Sequence, residues 1–335
     1  EITCRDWSSD VCSSDLDCSS TLSQNHFTRS ISIENGLPSN KIQDIYKDSR
    51  GIMWIGTEAG LCRYDGLNIK VYTKDDGLAG NRVWSITEDT KGNLWIACYG
   101  NGLSYFDGKT FLNFSDKDGL VNNNIRKIRW STKHNGLLIG TVFGFSFFKD
   151  SKFISFKDST VTNRSLLQVT DFLEVDSLVY LFTYYDNEQY IVFNPSGKQF
   201  RYLERNHRFH FKSNKSTCAY ISSLGDTLIG HHLFGMKIYK KDTVIVNTTV
   251  GQVFDIVEDN HKNLWLASWN DGQQMERTSK GGLYRYSNNQ MEYYNDKLGI
   301  NSQECWCLHF DKSENTLWVG TSDKCIIIYP LAGIE

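Results

Sequence analysis

The sequence predicts an all-β fold, a seven-bladed β-propeller built of four-stranded antiparallel blades. Three observations predict it: one tryptophan phrase recurs, its period is near forty residues, and short apolar runs alternate with Gly, Asn and Asp turns. The phrase reads Gly-Ile-Met-Trp-Ile-Gly-Thr at 51–57, Gly-Asn-Leu-Trp-Ile-Ala-Cys at 92–98, Asn-Leu-Trp-Leu-Ala-Ser at 263–268 and Thr-Leu-Trp-Val-Gly-Thr at 316–321. Helical solenoids of similar period do not carry β-rich runs of this length between such turns.

Each copy opens on a Gly-Leu or Gly-Ile turn at Gly36, Gly77, Gly119 or Gly299. Six and nine residues later comes an apolar pair: Ile42/Ile45, Val83/Ile86, Ile125/Ile128 and Cys305/Leu308, with Val253/Ile256 in the same column. The odd spacing of three is expected to place apolar groups on both faces of an innermost strand sandwiched between blades. A polar turn follows at 48–51, 89–92, 259–263 and 311–315, where the leading Asp can bond the backbone ahead and Gly can take a positive φ. The second strand then carries Trp54, Trp95, Trp265 or Trp318, whose large ring suits the wedge between blades better than a ligand platform.

Ten or eleven residues after the tryptophan column an aromatic closes the third strand: Tyr64, Phe106 and Tyr329, with Phe148 and Tyr239 in degenerate copies. A fourth strand is marked five residues before the next Gly-Leu by Tyr72, Phe114, Tyr294 and Ile31. The 300 residues from Gly36 to Glu335 divide into seven copies of about 43, of which those near 164–208 and 209–250 are eroded. The last copy stops after its third strand, while an orphan fourth strand at 27–33 precedes the first copy. That N-terminal strand is expected to complete the last blade and leave no open sheet edge. One propeller at 27–335 thus follows a linker at 17–26. Residues 1–16 are set aside, because Asp6 to Leu16 resembles the in-frame translation of a sequencing-library adapter.

Charge and composition exclude several functions. With 36 basic and 39 acidic residues well mixed, a net charge of -3 supplies no positive field for nucleic acid and no basic amphipathic segment for membrane contact. Arg201, Arg205, Arg208, Lys212 and Lys215 make one basic stretch, which reads as a solvated strand and loop because no stacking platform accompanies it. No run of about eighteen apolar residues spans a bilayer. Nine cysteines give no disulfide framework, and with Cys4 and Cys12 set aside the other seven read as buried free thiols. Cys305 and Cys307, two apart, are expected on one strand face without the further ligands zinc needs. His231 and His232 are neighbours in extended chain and point opposite ways. No metal or cofactor is therefore expected, and no nucleophile elbow, phosphate loop or His-Glu-x-x-His motif argues for an enzyme.

Read together, Gly36-Leu-Pro-Ser-Asn40, Asp44-Ile-Tyr-Lys-Asp48, the tryptophan phrase at 51–57 and Gly60-Leu-Cys-Arg-Tyr-Asp-Gly66 resemble the two-component regulator propeller repeat. Residues 77–108 repeat it almost column for column, 251–335 match more loosely, and 160–250 only by spacing. The resemblance implies the periplasmic sensor half of a membrane-bound, often hybrid, histidine kinase of Bacteroidetes. It also implies an oligosaccharide or other small extracellular ligand. A second propeller or a β-sandwich of the same sensor, or a second copy in a homodimer, is the implied protein partner. Any kinase would lie beyond Glu335. A polysaccharide lyase, a glycosidase and a protein-interaction scaffold are the alternatives. The Asp-containing turns resemble those of sialidase propellers but lie on the opposite face from the ligand loops, with no arginine cluster, and read as structural.

The Gly-Leu loops and the loops between second and third strands emerge on one face of the disc. That face is expected to display Asn40, Asn81, Arg82, Asn123, Glu58, Tyr99, Asn101, Phe143, His231 and His232 around the channel mouth. The asparagines of the Gly-Leu loops are better explained by turn chemistry. Twenty-one residues separate Trp265 from Tyr286, so about ten have been inserted at 268–282, and inserted loops on rigid scaffolds tend to carry recognition. Trp269, Asn270 and Asp271 there combine an aromatic face with amide and carboxylate acceptors suited to a sugar.

Overall fold

Alternation along the second strand explains the tryptophan phrase. In the computed structural model, which describes residues 28–156, 167–184, 190–203, 215–232, 235–240, 243–247, 250–270 and 280–328, the strand Met53–Thr57 is buried along its whole length. Trp54 turns toward the next blade and packs with Val83 and Ile86, while Met53 and Ile55 turn back to the blade before. Gly56 again faces forward, where an added Cβ would lie 2.8 Å from Val83 Cγ1. The column therefore holds small residues: Gly56, Ala97, Gly140, Gly230, Ala267 and Gly320. The final Thr or Ser closes the loop to the third strand, as Thr57 Oγ1 donates to Gly60 O at 2.8 Å and Ser268 Oγ to Gly282 O at 2.9 Å.

The polar turns tie themselves to the same wedge. Asp48 Oδ1 accepts from the Arg50 and Ile52 N–H groups, and its Oδ2 accepts from Trp54 Nε1 at 3.0 Å. Asp259 repeats this with His261, Asn263 and Trp265. These bonds hold the Asp48 carboxyl below its ordinary pKa although burial opposes them. The third-strand aromatics then meet the tryptophan of the preceding blade: Phe106 lies 6.0 Å from Trp54, Phe148 5.1 Å from Trp95 and Tyr64 6.0 Å from Trp318, all tilted or edge-on.

The innermost strands depart from expectation. Each slips register by one residue at the same place: between 42 and 44, 83 and 85, 125 and 127, 169 and 171, 216 and 218, 253 and 255, and 305 and 307. Such a bulge sets two residues against one on the neighbouring strand and resets the side-chain alternation. The apolar pairs three apart therefore face one way, not both: Ile42 and Ile45 share one cluster, and Val83 and Ile86 share the next. For the same reason Cys305 and Cys307 do not share a face, since Cys305 packs toward the sixth blade and Cys307 toward the first. Burial pushes the Cys305 thiol up to about 12.

The count of seven copies along the chain is also corrected. Six blades, not seven, are continuous runs of four strands, at 42–72, 83–114, 125–156, 169–203, 216–247 and 252–293. The remaining four-stranded sheet is composite: the three strands within 305–328 are completed by Thr28–Ile31 from the other end of the chain. Its register runs Thr28↔Ile328 to Ile31↔Cys325, antiparallel. The proposed partners Phe27 and Tyr329 lie outside the described residues. Closure leaves no unpaired third strand at the junction, and Ile31, 1% exposed, enters the cluster between last and first blades. Deleting 27–33 is expected to lower the melting temperature sharply. Ile31→Ala alone should cost about 2–5 kcal/mol, read by chemical denaturation.

Candidate functional site

The seven bulges converge on one cavity of about 470 Å³ at the mouth of the central channel. The first residue of every bulge, Gln43, Trp84, Arg126, Thr170, Thr217, Phe254 and Trp306, lines it. The second residue forms the floor in five blades: Asp44, Lys127, Asp171, Asp255 and Cys307. A regular strand would turn these consecutive side chains to opposite faces; the bulge lets both border the axis.

Three regions of wall differ in chemistry. On blades six and seven, Phe254 and Trp306 lie 4.7 Å apart between ring centroids, and Trp269 joins them 5.3 Å from Trp306. Trp269 ends the strand Leu264–Trp269, whose next described residue, Asn270, begins the insertion. Blades four to six supply a polar arc, in which His232 lies 2.5 Å from Gln252 Oε1 through Nδ1 and 2.8 Å from the Tyr184 hydroxyl through Nε2. Because the amide oxygen only accepts, Nδ1 carries the proton toward Gln252. On blades two and three, Trp84 stacks on Tyr99 at 4.2 Å and the Arg126 guanidinium sits 4.6 Å from the Trp84 ring. With its carboxamide oxygen turned toward that guanidinium, Gln168 accepts from Arg126 Nε at 3.0 Å.

The floor sets one ammonium among three carboxylates. Asp44 accepts from the N–H groups of Ile45 and of Ile86 in the next blade, at 3.0 and 2.7 Å. Asp171 does the same with Phe172 and Ala219, and Asp255 with Ile256 and Leu308. Arg129 adds an ion pair to Asp171 at 2.9 Å. Burial pushes the Asp44 carboxyl up and Asp255 up to about 6, against the pull of Lys127. Burial pulls the Lys127 ammonium down, but Asp44, Asp255 and Asp171 more than offset this and hold it above the ordinary lysine value.

Of the residues singled out by sequence, Glu58, His232 and Trp269 line the cavity. Tyr99 and Arg82 sit behind Trp84, with Arg82 5.2 Å from the Tyr99 ring and 3.6 Å from Glu58. Asn101 is exposed against Gly80, and Asn270 is half-buried outside the lining. His231 is fully buried within its blade, on the opposite face from His232. Asp271 lies outside the described residues. Asn40, Asn81 and Asn123 accept from the backbone of Ile33, Lys74 and Asp116 at 2.8–2.9 Å, which is turn chemistry. Sequence reasoning missed Trp84, Arg126, Gln168, Tyr184, Gln252, Phe254 and Trp306. The signal for Trp84, Arg126, Phe254 and Trp306 was their shared place one residue after the first apolar member of each innermost pair.

Residues 36–59 and 77–100 match the two component regulator propeller family, so the chain carries two copies of that repeat. No curated protein matches it in sequence. Among solved structures it is similar to the extracellular domain of BT3049 from B. thetaiotaomicron, assigned to a hybrid two component system, at 21% identity and a TM-score of 0.73 over 90% of this chain. The extracellular domain of BT4673 from the same organism is 18% identical, with a TM-score of 0.68 over 90% of this chain. This chain covers 42% of each of those domains. Virginiamycin B lyase from Staphylococcus aureus, solved with quinupristin, is 14% identical with a TM-score of 0.68, over 90% of this chain and 99% of the lyase. At these identities the likeness establishes the fold alone. No helix among the described residues is long and apolar enough to cross a membrane.

The floor yields a pH-dependent prediction. Asp255 is raised above the ordinary aspartate value of about 3.9, so its contribution to stability is fullest below about pH 4 and is lost as pH rises through about 6. Lys127→Met removes the counter-charge and pushes that folded-state pKa higher. The variant should lose about 3–5 kcal/mol at pH 7 and recover part of it at pH 5. Adding Asp255→Asn should restore stability at pH 7, as followed by urea denaturation at both values.

Proposed function

We propose that this propeller, a carrier of two-component regulator propeller repeats, is the extracytoplasmic ligand-sensing part of a bacterial two-component sensor, of hybrid histidine kinase type. It would lie in the periplasm, bind an oligosaccharide at the channel mouth, and pass the signal by docking on a second propeller, a β-sandwich or a second copy of the chain. The similarity of its ring to extracellular domains assigned to two-component systems supports the placement.

One observation carries the ligand class. Phe254, Trp269 and Trp306 form a continuous aromatic wall beside the Tyr184–His232–Gln252 arc, within a single cavity. Sugars present apolar C–H faces and equatorial hydroxyls, and an aromatic wall adjoining oriented donors and acceptors matches both. The cavity size falls within the range of about 300–1,000 Å³ common for small-molecule sites. Glu58 on blade one, with Lys41 and Arg82 each 3.6 Å from it, adds a charged segment to the lining.

Glycan-array screening followed by titration calorimetry tests the proposal. Trp306→Ala and Trp269→Ala should each weaken binding by about 1–2 kcal/mol, roughly five- to thirtyfold, with the melting temperature unchanged. Unaltered calorimetry for both variants would remove the aromatic wall from recognition.

A further inference from the structure

We infer that the cavity receives the terminus of an oligosaccharide chain and not its interior, an inference that rests on the sugar-binding role proposed above.

The floor of the cavity is what favours a chain end. For the interior of a chain to reach the floor of this cavity the chain would need a second exit, which only the propeller channel could supply. Here the lining stops at the second bulge residues. The same strands continue inward with Tyr46, Arg129, Tyr220 and His309, and none of these borders the cavity. Across the axis lie Lys127 and the carboxylates of Asp44, Asp171 and Asp255, contributed by four different blades. Each carboxylate already accepts two backbone N–H groups from two blades. Opening this plate to thread a chain would strip those donors and separate the three carboxylates from Lys127, both of which are unfavourable. The seven bulge residues of the wall are held in place as well, since they belong to paired strands. Among the described residues the rim is the remaining opening, so a chain enters end-on and its last ring reaches the floor.

The test uses neutral gluco-, xylo-, manno-, arabino- and galacto-oligosaccharides of two to six residues in titration calorimetry against the whole chain. For the series that binds, affinity should stop rising after roughly three residues, given the cavity size, and one protein should bind each chain at every length. Sedimentation with the corresponding long polymer should likewise show no more than one protein per chain end. Several proteins per chain, or affinity still climbing at six residues, would overturn end-on recognition while leaving sugar binding in place. A protein that binds none of the series would overturn both. Trp306→Ala serves as the control, since loss of heat in that variant ties the measured binding to this cavity.

Discussion

A one-residue bulge in each innermost strand is the constraint on which the site depends. It keeps both apolar members of the strand directed at the preceding blade, and it lets two consecutive side chains border the axis. Without it, a strand of this length would offer the channel mouth one side chain per blade, and its partner would point into the packed interface. The bulge thus converts a repeat made for packing into a rim with two tiers, a chemically varied wall above a charged floor.

That floor also joins the blades. The second bulge residue accepts from the backbone of the following blade at four junctions: Asp44 to Ile86, Ser85 to Ile128, Asp171 to Ala219 and Asp255 to Leu308. On the opposite face a second set of bonds crosses the first-to-second junction again and the three junctions that the first set leaves out. Ser49 donates through N and Oγ to Glu88, Ser223 likewise to Glu258, Ser131 to Glu174, and Lys47 pairs with Asp311 across the closure. Each pair of neighbouring blades is therefore pinned at one end of its innermost strands, and blades one and two at both. No blade buries its faces alone, as in any repeat architecture, so ring closure by Thr28–Ile31 bears on every interface.

The eroded copies show how a repeat is kept in structure after it fades in sequence. Where other blades set a small second-strand residue against a large innermost one, as Gly56 against Ile86, the fourth-to-fifth junction reverses the sizes. Phe182 there fills the space left by Ala219, and both lie in one cluster. Volume across the interface is conserved while neither residue matches its column, which is why blades four and five were legible by spacing alone. Tyr184, His232 and Gln168 belong to those blades, so the polar arc was hidden with them. Only His232 was found, through its place in a predicted loop.

The sequence by itself determined the β-rich repeat, the strand order within a blade, the packing role of the four tryptophans, and the face of the disc on which the cavity opens. These follow from local rules: turn chemistry, alternation, and the size of an indole ring. It also singled out Trp269 through an irregular loop length. Tertiary structure alone decided which residues meet at the axis, because Trp84, Arg126, Phe254 and Trp306 are some forty or more residues apart in the chain and are brought together only when the ring closes. The composite blade was anticipated by an orphan strand before the first copy, but its register, Thr28↔Ile328 to Ile31↔Cys325, was decided only by tertiary structure, since no local pattern specifies which residues of the two chain ends pair.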